Sequence, residues 1–234
     1  MKYNLARALS DSTRREKAIP LWQELIEKYP KHLGFKLEFA QCYLQLGQMD
    51  ACEKILLELP DQVQQLPAIQ LMLGEIRLHR GEVEAALEHF KRAETDEPEM
   101  PSLHIALGRV YVLLKKWDEA EREFQKALVT DGDNAVAYDG LAQVALAHEQ
   151  YADALDHALR AVGLVHHYPP AHLHLGQALV GMEMIDQAIQ AFETCLSISP
   201  GMKFAHMCLA KLYRADDRDV NQAQKHELMA MRGS

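Results

Sequence analysis

At intervals of 34 residues the chain places Leu5, Phe39, Leu73, Leu107, Leu141, Leu175 and Leu209, each followed by a small residue: Ala6, Ala40, Gly74, Gly108, Ala142, Gly176 and Ala210. No insertion disturbs this frame. A period of that size outranks local propensity, because it means that one supersecondary unit is used repeatedly. The small residue has a steric purpose. It lets one helix backbone approach another closely, where a larger side chain would hold the two apart. A second column holds Ala18, Cys52, Ala86, Ala120, Ala154 and Ala188, with Trp22, Leu56, Phe90, Phe124, Ala158 and Phe192 four residues further on. That spacing is about one helical turn, so a small contact and a knob share one face of a second helix.

Helix ends agree with the frame. Pro30, Pro98 and Pro200 stop second helices, Gly47 and Gly81 sit in the short turn between helices, and Gly132 and His166 stand where other repeats carry proline. The pattern predicts helices over 35–46, 49–59, 68–79 and 83–95, onward in step to a last helix over 220–231. Pro60 truncates one second helix and leaves 61–66 as a loop. No window reads as a strand, and no stretch rich in Gly, Ser or Pro interrupts the chain.

Within 101–134, Leu107-Gly108, Tyr111, Ala120, Phe124 and Ala127 follow the Leu-Gly, Tyr, Ala, Phe order of a 34-residue helical hairpin. The order recurs as Leu73-Gly74, Gly81, Ala86, Phe90, Ala93 and Pro98, and as Leu175-Gly176, Ala188, Phe192, Cys195 and Pro200. On these residues the chain resembles the tetratricopeptide repeat family over essentially its whole length. The resemblance implies an all-α fold, a right-handed α-α superhelix (solenoid) of about seven hairpins in a single domain over 1–234. Its repeats would be about 1–32, 33–66, 67–100, 101–134, 135–168, 169–202 and an incomplete 203–234. Stability in such a stack comes from each hairpin burying its apolar stripe against the next. Gln222, Gln224, Lys225, His226 and Glu227 give the last helix a polar surface suited to an open end.

Composition limits the function classes. With 48% apolar and 25% charged residues among 234, the chain has ample material for a core. A formal net charge of −9 argues against nucleic acid as the main partner, since phosphate binding needs a basic field. No apolar run has the length of a signal peptide or a bilayer span, so no membrane association and a cytoplasmic location are expected. Cys42, Cys52, Cys195 and Cys208 have neither zinc-site nor disulfide-framework spacing and read as reduced thiols. The chain enters its first repeat two positions late and leaves the seventh near its close, as if cut from a longer protein.

The string HHYPPAHLH supplies His166, His167, His172 and His174, with His206 one repeat later. It tempts a metal assignment, but His172 and His174 are two apart on a predicted helix and point to nearly opposite sides. His104, His172 and His206 share one repeat position and read as packing choices at the edge of the core, so no metal and no cofactor are expected. Cys52 and Cys195 occupy columns where other repeats place alanine, which explains them as small buried side chains. No GxSxG, GxxxxGK[ST] or HExxH pattern is present, and the carboxylates are spread along helix surfaces, so the chain is not expected to be an enzyme.

What remains is the concave face, which the family resemblance assigns to the first helix of each hairpin. One ladder there holds Leu37, Leu71, Ile105, Asp139, Leu173 and Met207; another holds Arg7, Gln41, Glu75, Arg109, Gln143, Gln177 and Lys211. The two lie four residues apart within each repeat and share a face. A groove half apolar and half hydrogen-bonding suits an extended protein or peptide segment, and the expected function is a protein-protein interaction scaffold. Some members of the family clamp a chaperone's C-terminal carboxylate. Here Leu37, Leu71 and Ile105 stand where that clamp uses lysine, which disfavours such a ligand. The segments NLARAL and HHYPPAHLHLG are also similar to repeat regions that follow phosphodiesterase or alkaline-phosphatase-like domains in some bacterial proteins. That likeness implies an alternative, a non-catalytic regulatory or targeting appendage of a larger hydrolase.

Overall fold

Most helix starts and stops keep the 34-residue frame in the computed structural model, which describes residues 2–12, 14–96, 99–215 and 219–232. Every regular element among these residues is helical. The order is α1 (Lys2–Ser10), a 3₁₀ turn (Arg15–Ala18) running into α2 (Ile19–Lys28), α3 (Leu33–Gln45), α4 (Met49–Leu57), α5 (Asp61–Gln64), α6 (Pro67–His79) and α7 (Val83–Asp96). There follow α8 (Pro101–Leu113), α9 (Trp117–Thr130), α10 (Ala135–Ala147), α11 (Tyr151–Leu164), α12 (Pro169–Gly181), α13 (Ile185–Ile198), α14 (Lys203–Arg214) and α15 (Val220–Arg232). The all-α hairpin expectation is borne out.

Proline punctuates both ends of the hairpins. Helices α2 and α13 cap on Tyr29 and Ser199, each just before a proline. Pro98, assigned the same duty, lies outside the described residues. Pro67, Pro101 and Pro169 open α6, α8 and α12, where a missing N–H costs nothing.

The turn inside each hairpin is the same structure five times. Gly47 and Gly81 have φ of 72° and 77°, and one repeat further on at each step Lys115, Glu149 and Glu183 have φ of 56°, 59° and 61°. The next amide closes back five residues, as in Gln48 N–H to Tyr43 O at 2.9 Å and Gln150 N–H to Ala145 O at 2.9 Å. This is the left-handed helix stop that satisfies the last carbonyls of the first helix. Glycine takes it freely, whereas the other three residues adopt it under strain.

One expectation needs correction. Residues 61–66 are not a plain loop: Asp61–Gln64 form one helical turn, α5, with the Val63 and Gln64 amides both bonded to Pro60 O. The Gln64 side-chain amide donates to Leu57 O at 3.2 Å and Leu59 O at 2.8 Å. The turn thereby ties up carbonyls that the shortened α4 leaves open.

The chain forms two compact units, Met1–Val110 and Tyr111–Ser234. In the first, Trp22, Phe39 and Cys42 are buried with Ala6, Ala18 and Leu25, and a neighbouring cluster joins Ala40, Cys52 and Leu56 to Ile69, Leu73 and Ile76. In the second, Leu179, Ala188, Phe192 and Cys195 pack with Ala205, Leu209 and Leu212. The two columns meet as the steric argument requires. A Cβ built on Gly74 would lie 2.3 Å from Phe90 Cε1, and one on Gly176 would lie 2.5 Å from Phe192 Cε1.

Candidate functional site

All thirteen residues of the two ladders lie on first helices, Arg7 on α1 among them. In the first unit Leu37 (α3), Leu71 (α6) and Ile105 (α8) are half-buried, while Gln41 is exposed. Half-buried Glu75 and exposed Arg109, on adjacent first helices, are engaged with each other. Arg109 Nη1 donates to Glu75 Oε1 at 3.1 Å and Oε2 at 3.2 Å. This pair lines a cavity of about 310 Å³ with Leu44, Met49, Leu78 and His79.

In the second unit the picture differs. The side chains of half-buried Gln143 (α10) and Gln177 (α12) and exposed Lys211 (α14) make no hydrogen bond or ion pair among the described residues. Leu173 is half-buried and Met207 is 46% exposed. Gln177 and Lys211 enter a cavity of about 330 Å³ whose remaining wall is chiefly apolar: Leu146, Tyr151, Val180, Gly181, Phe192, Cys208 and Leu212. A second cavity, of about 440 Å³, shares Lys211 and is lined by Met207, Ala210, Arg214, Glu227, Ala230 and Met231. Fixed apolar walls with a few uncommitted polar groups are what a bound chain needs for affinity and register.

Asp139 stands apart from the ladder to which its repeat position assigns it. It is only 7% exposed, and its Oδ1 accepts a 2.6 Å hydrogen bond from His174 Nδ1–H. Its Oδ2 accepts a weaker one from the Tyr168 hydroxyl at 3.3 Å. A carboxylate can only accept here, so the proton on His174 sits on Nδ1. The pair bridges α10 and α12, and sequence spacing did not reveal it because 35 residues separate the partners.

Two histidines of the string are built into the fold, while His166 and His167 are exposed. His172 and His174 are both buried, at 4% and 9% exposure, and take different partners. His172 Nε2 lies 2.8 Å from His166 O, and His206 Nε2 lies 3.0 Å from Pro200 O, each six residues back. The shared column thus ties a first helix to the segment leading into it. Among the described residues, no three histidines of the string bring ligand atoms within 4.8 Å of one another.

The cysteines are free thiols. Burial first, then the Glu53 charge, pushes Cys52 up to about 12; burial first, then Cys208, pushes Cys195 up to about 11. Both are far from the thiolate that reactive chemistry requires. No described helix is long and apolar enough to cross a membrane.

Two tetratricopeptide repeat family models match, one over residues 3–76 and 77–144 and the other over 169–202. Among curated proteins, the BBSome complex member BBS4 homolog of Drosophila melanogaster is 23% identical over 202 residues, 86% of this chain. The chain spans 42% of the length of that relative. Among solved structures, PilF of Pseudomonas aeruginosa aligns with a TM-score of 0.64 at 23% identity, covering 72% of this chain and 76% of that one. YrrB, described as a TPR protein with an unusual peptide-binding site, aligns with a TM-score of 0.53 at 23% identity, covering 74% of this chain and 89% of that one. These matches include animal and bacterial proteins, and none of the three is named as a phosphodiesterase or phosphatase.

Proposed function

Because this chain belongs to the tetratricopeptide repeat family, we propose that it is a non-catalytic protein-interaction scaffold whose second unit takes an extended segment of a partner along the first-helix face of α10, α12 and α14. The observation that carries the reading is the uncommitted state of the Gln177 and Lys211 side chains at a cavity of about 330 Å³, with Gln143 equally uncommitted on α10. A side chain already paired must break that bond to meet a ligand, whereas a solvated glutamine or lysine exchanges water for the partner at little cost. In the first unit Arg109 and Glu75 hold each other, so that face is less available as it stands. Leu173 and Met207 supply apolar anchors next to the polar groups, as alternate side chains of an extended segment require. The fly relative is named as a member of a complex, and association with other proteins is the role proposed for this chain.

The test is a selection of random peptides on the purified chain, followed by fluorescence-polarisation titration of the winners. The triple variant Gln143→Ala, Gln177→Ala, Lys211→Glu should weaken binding by about tenfold or more, the loss of roughly 1.4 kcal/mol. Unchanged affinity in a folded triple variant would move the site off this face.

A further inference from the structure

The column that elsewhere carries the knob of the second helix ends, one repeat after Phe192, on His226. In the second unit Phe124 and Phe192 fill this position with a fully buried ring. At α15 the ring is equally placed but titratable: His226 is 8% exposed, and its Nδ1 lies 2.8 Å from Nδ1 of His206 on α14, itself 6% exposed. The seam between α14 and α15 therefore closes on two imidazoles, where its counterpart between α12 and α13 keeps the first, His172, and sets the Phe192 ring in place of the second.

Proton bookkeeping fixes the state of this contact. His206 Nε2, 3.0 Å from Pro200 O, must carry a hydrogen, because a carbonyl only accepts. In the neutral ring Nδ1 is then a lone pair, and His226 must donate from its own Nδ1. One further proton can sit on His226 Nε2 without disturbing the contact. A second forces N–H against N–H across 2.8 Å and puts two cations side by side between largely buried rings.

The surroundings offer little relief. His226 stacks on Tyr213 of α14, with centroids 5.9 Å apart, and Lys225 of α15 adds a like charge. Glu193 of α13 favours the charged ring, but its Oε1 already accepts the Tyr213 hydroxyl at 2.9 Å. Burial first, then His206 and Lys225, holds His226 below the usual imidazole range. An imidazole that resists protonation when folded stabilises the fold fully above its unfolded pKa, near ~6.5, and that contribution is lost as the pH falls.

We propose that the His206–His226 contact is an acid-sensitive latch, clasping α15 to α14 while the rings share at most one extra proton and releasing α15 when both are charged. Release removes one wall of the cavity of about 440 Å³, since Met207, Lys211 and Arg214 come from α14 and Glu227 and Met231 from α15. It also parts Arg214 from Glu227, whose nitrogen and oxygen stand 2.7 Å apart. The latch goes beyond the scaffold reading and does not depend on it.

The experiment is amide hydrogen exchange on the full chain at pH 7.5 and 5.0, corrected for intrinsic exchange, with peptides from α12 and α13 as the internal reference. Protection across α15 should fall by at least about tenfold at the lower pH while the reference holds. His226→Phe, which restores the ring used in the preceding repeat, should abolish that difference. Equal protection of α15 at both pH values in the wild-type chain, or a folded His226→Phe variant that keeps the drop, overturns the latch. Histidine nitrogen NMR on the wild-type chain covers the case where the variant fails to fold. Observing His226 with its proton on Nδ1 at neutral pH is expected, and both rings charged with α15 still protected overturns the proposal.

Discussion

Asp139 Oδ1 accepts a 2.6 Å hydrogen bond from His174 Nδ1, joining two first helices through two buried residues. Truncating Asp139→Ala leaves the His174 donor without its acceptor inside the structure, which costs about 1–3 kcal/mol. Urea denaturation of the two single variants and of Asp139→Ala with His174→Ala should reveal a coupling of roughly 0.5–3 kcal/mol. Additive effects would mean that the bond contributes nothing to the second unit.

Gly176→Ala brings a methyl group to within 2.5 Å of Phe192 Cε1, so the buried ring must shift to admit it. Overpacking of this kind costs about 1–3 kcal/mol. Adding Phe192→Leu should return part of that loss. Thermal melts of the single and double variants check the compensation, which is the signature of a steric rather than a conformational cause.

The shared turn geometry predicts stabilisation at three non-glycine positions. Glu149→Gly, at φ of 59°, removes a left-handed strain of about 1–2 kcal/mol and returns part of it as chain entropy of roughly 0.5–1 kcal/mol. The net expectation is a gain of about 0.5–1 kcal/mol in urea denaturation, with Lys115→Gly and Glu183→Gly behaving alike. The reverse change, Gly81→Glu, should destabilise.

Glu53 is held below the usual carboxylate range chiefly by its hydrogen bond to Arg80, with the Arg77 charge and bond adding to this and burial opposing it. Its oxygens accept from Arg80 Nη2 at 2.6 Å and Arg77 Nη2 at 2.7 Å. A depressed carboxyl stabilises the folded chain above its unfolded value of ~4.3, and this stability is lost as the pH falls through the lower folded value. Acid titration of the first unit's stability should therefore steepen below about pH 4, and Glu53→Gln should flatten that limb.

Cys52 and Cys195 should resist alkylation in the native chain at pH 8, since their thiols are pushed up to about 12 and about 11. Iodoacetamide labelling read by mass spectrometry should leave both unmodified until denaturant is added. Cys52→Ala, which matches the alanine of its column, should change stability by less than about 1.5 kcal/mol.

The fold was legible in the sequence because its determinants repeat and act locally. Ala and Gly at 34-residue steps report where backbones approach, Phe90 and Phe192 report what fills the space, and the structure sets each of these pairs in contact. Local chemistry was legible less evenly. Gly47 and Gly81 marked the turn, but nothing in Lys115, Glu149 or Glu183 advertises a positive φ except their place in the frame. Pro60 announced a break, yet the single turn at Asp61–Gln64 depends on the Gln64 side chain reaching back to Leu57 and Leu59 carbonyls.

Side-chain pairing was decided only in three dimensions. Asp139 shares its spacing with Ile105 and Leu173, so periodicity assigns it to the groove; packing of α12 against α10 brings His174 within 2.6 Å and draws the carboxylate inward instead. Arg109 and Glu75 occupy one column and look equally available, until adjacent helices set them 3.1 Å apart. His226 could have been noticed as the odd ring in a column of Phe124 and Phe192, but its partner His206 is 20 residues away on another helix. A repeating sequence specifies backbone spacing through sterics that act at every period, whereas a hydrogen bond between repeats depends on the particular side chains that this spacing brings together.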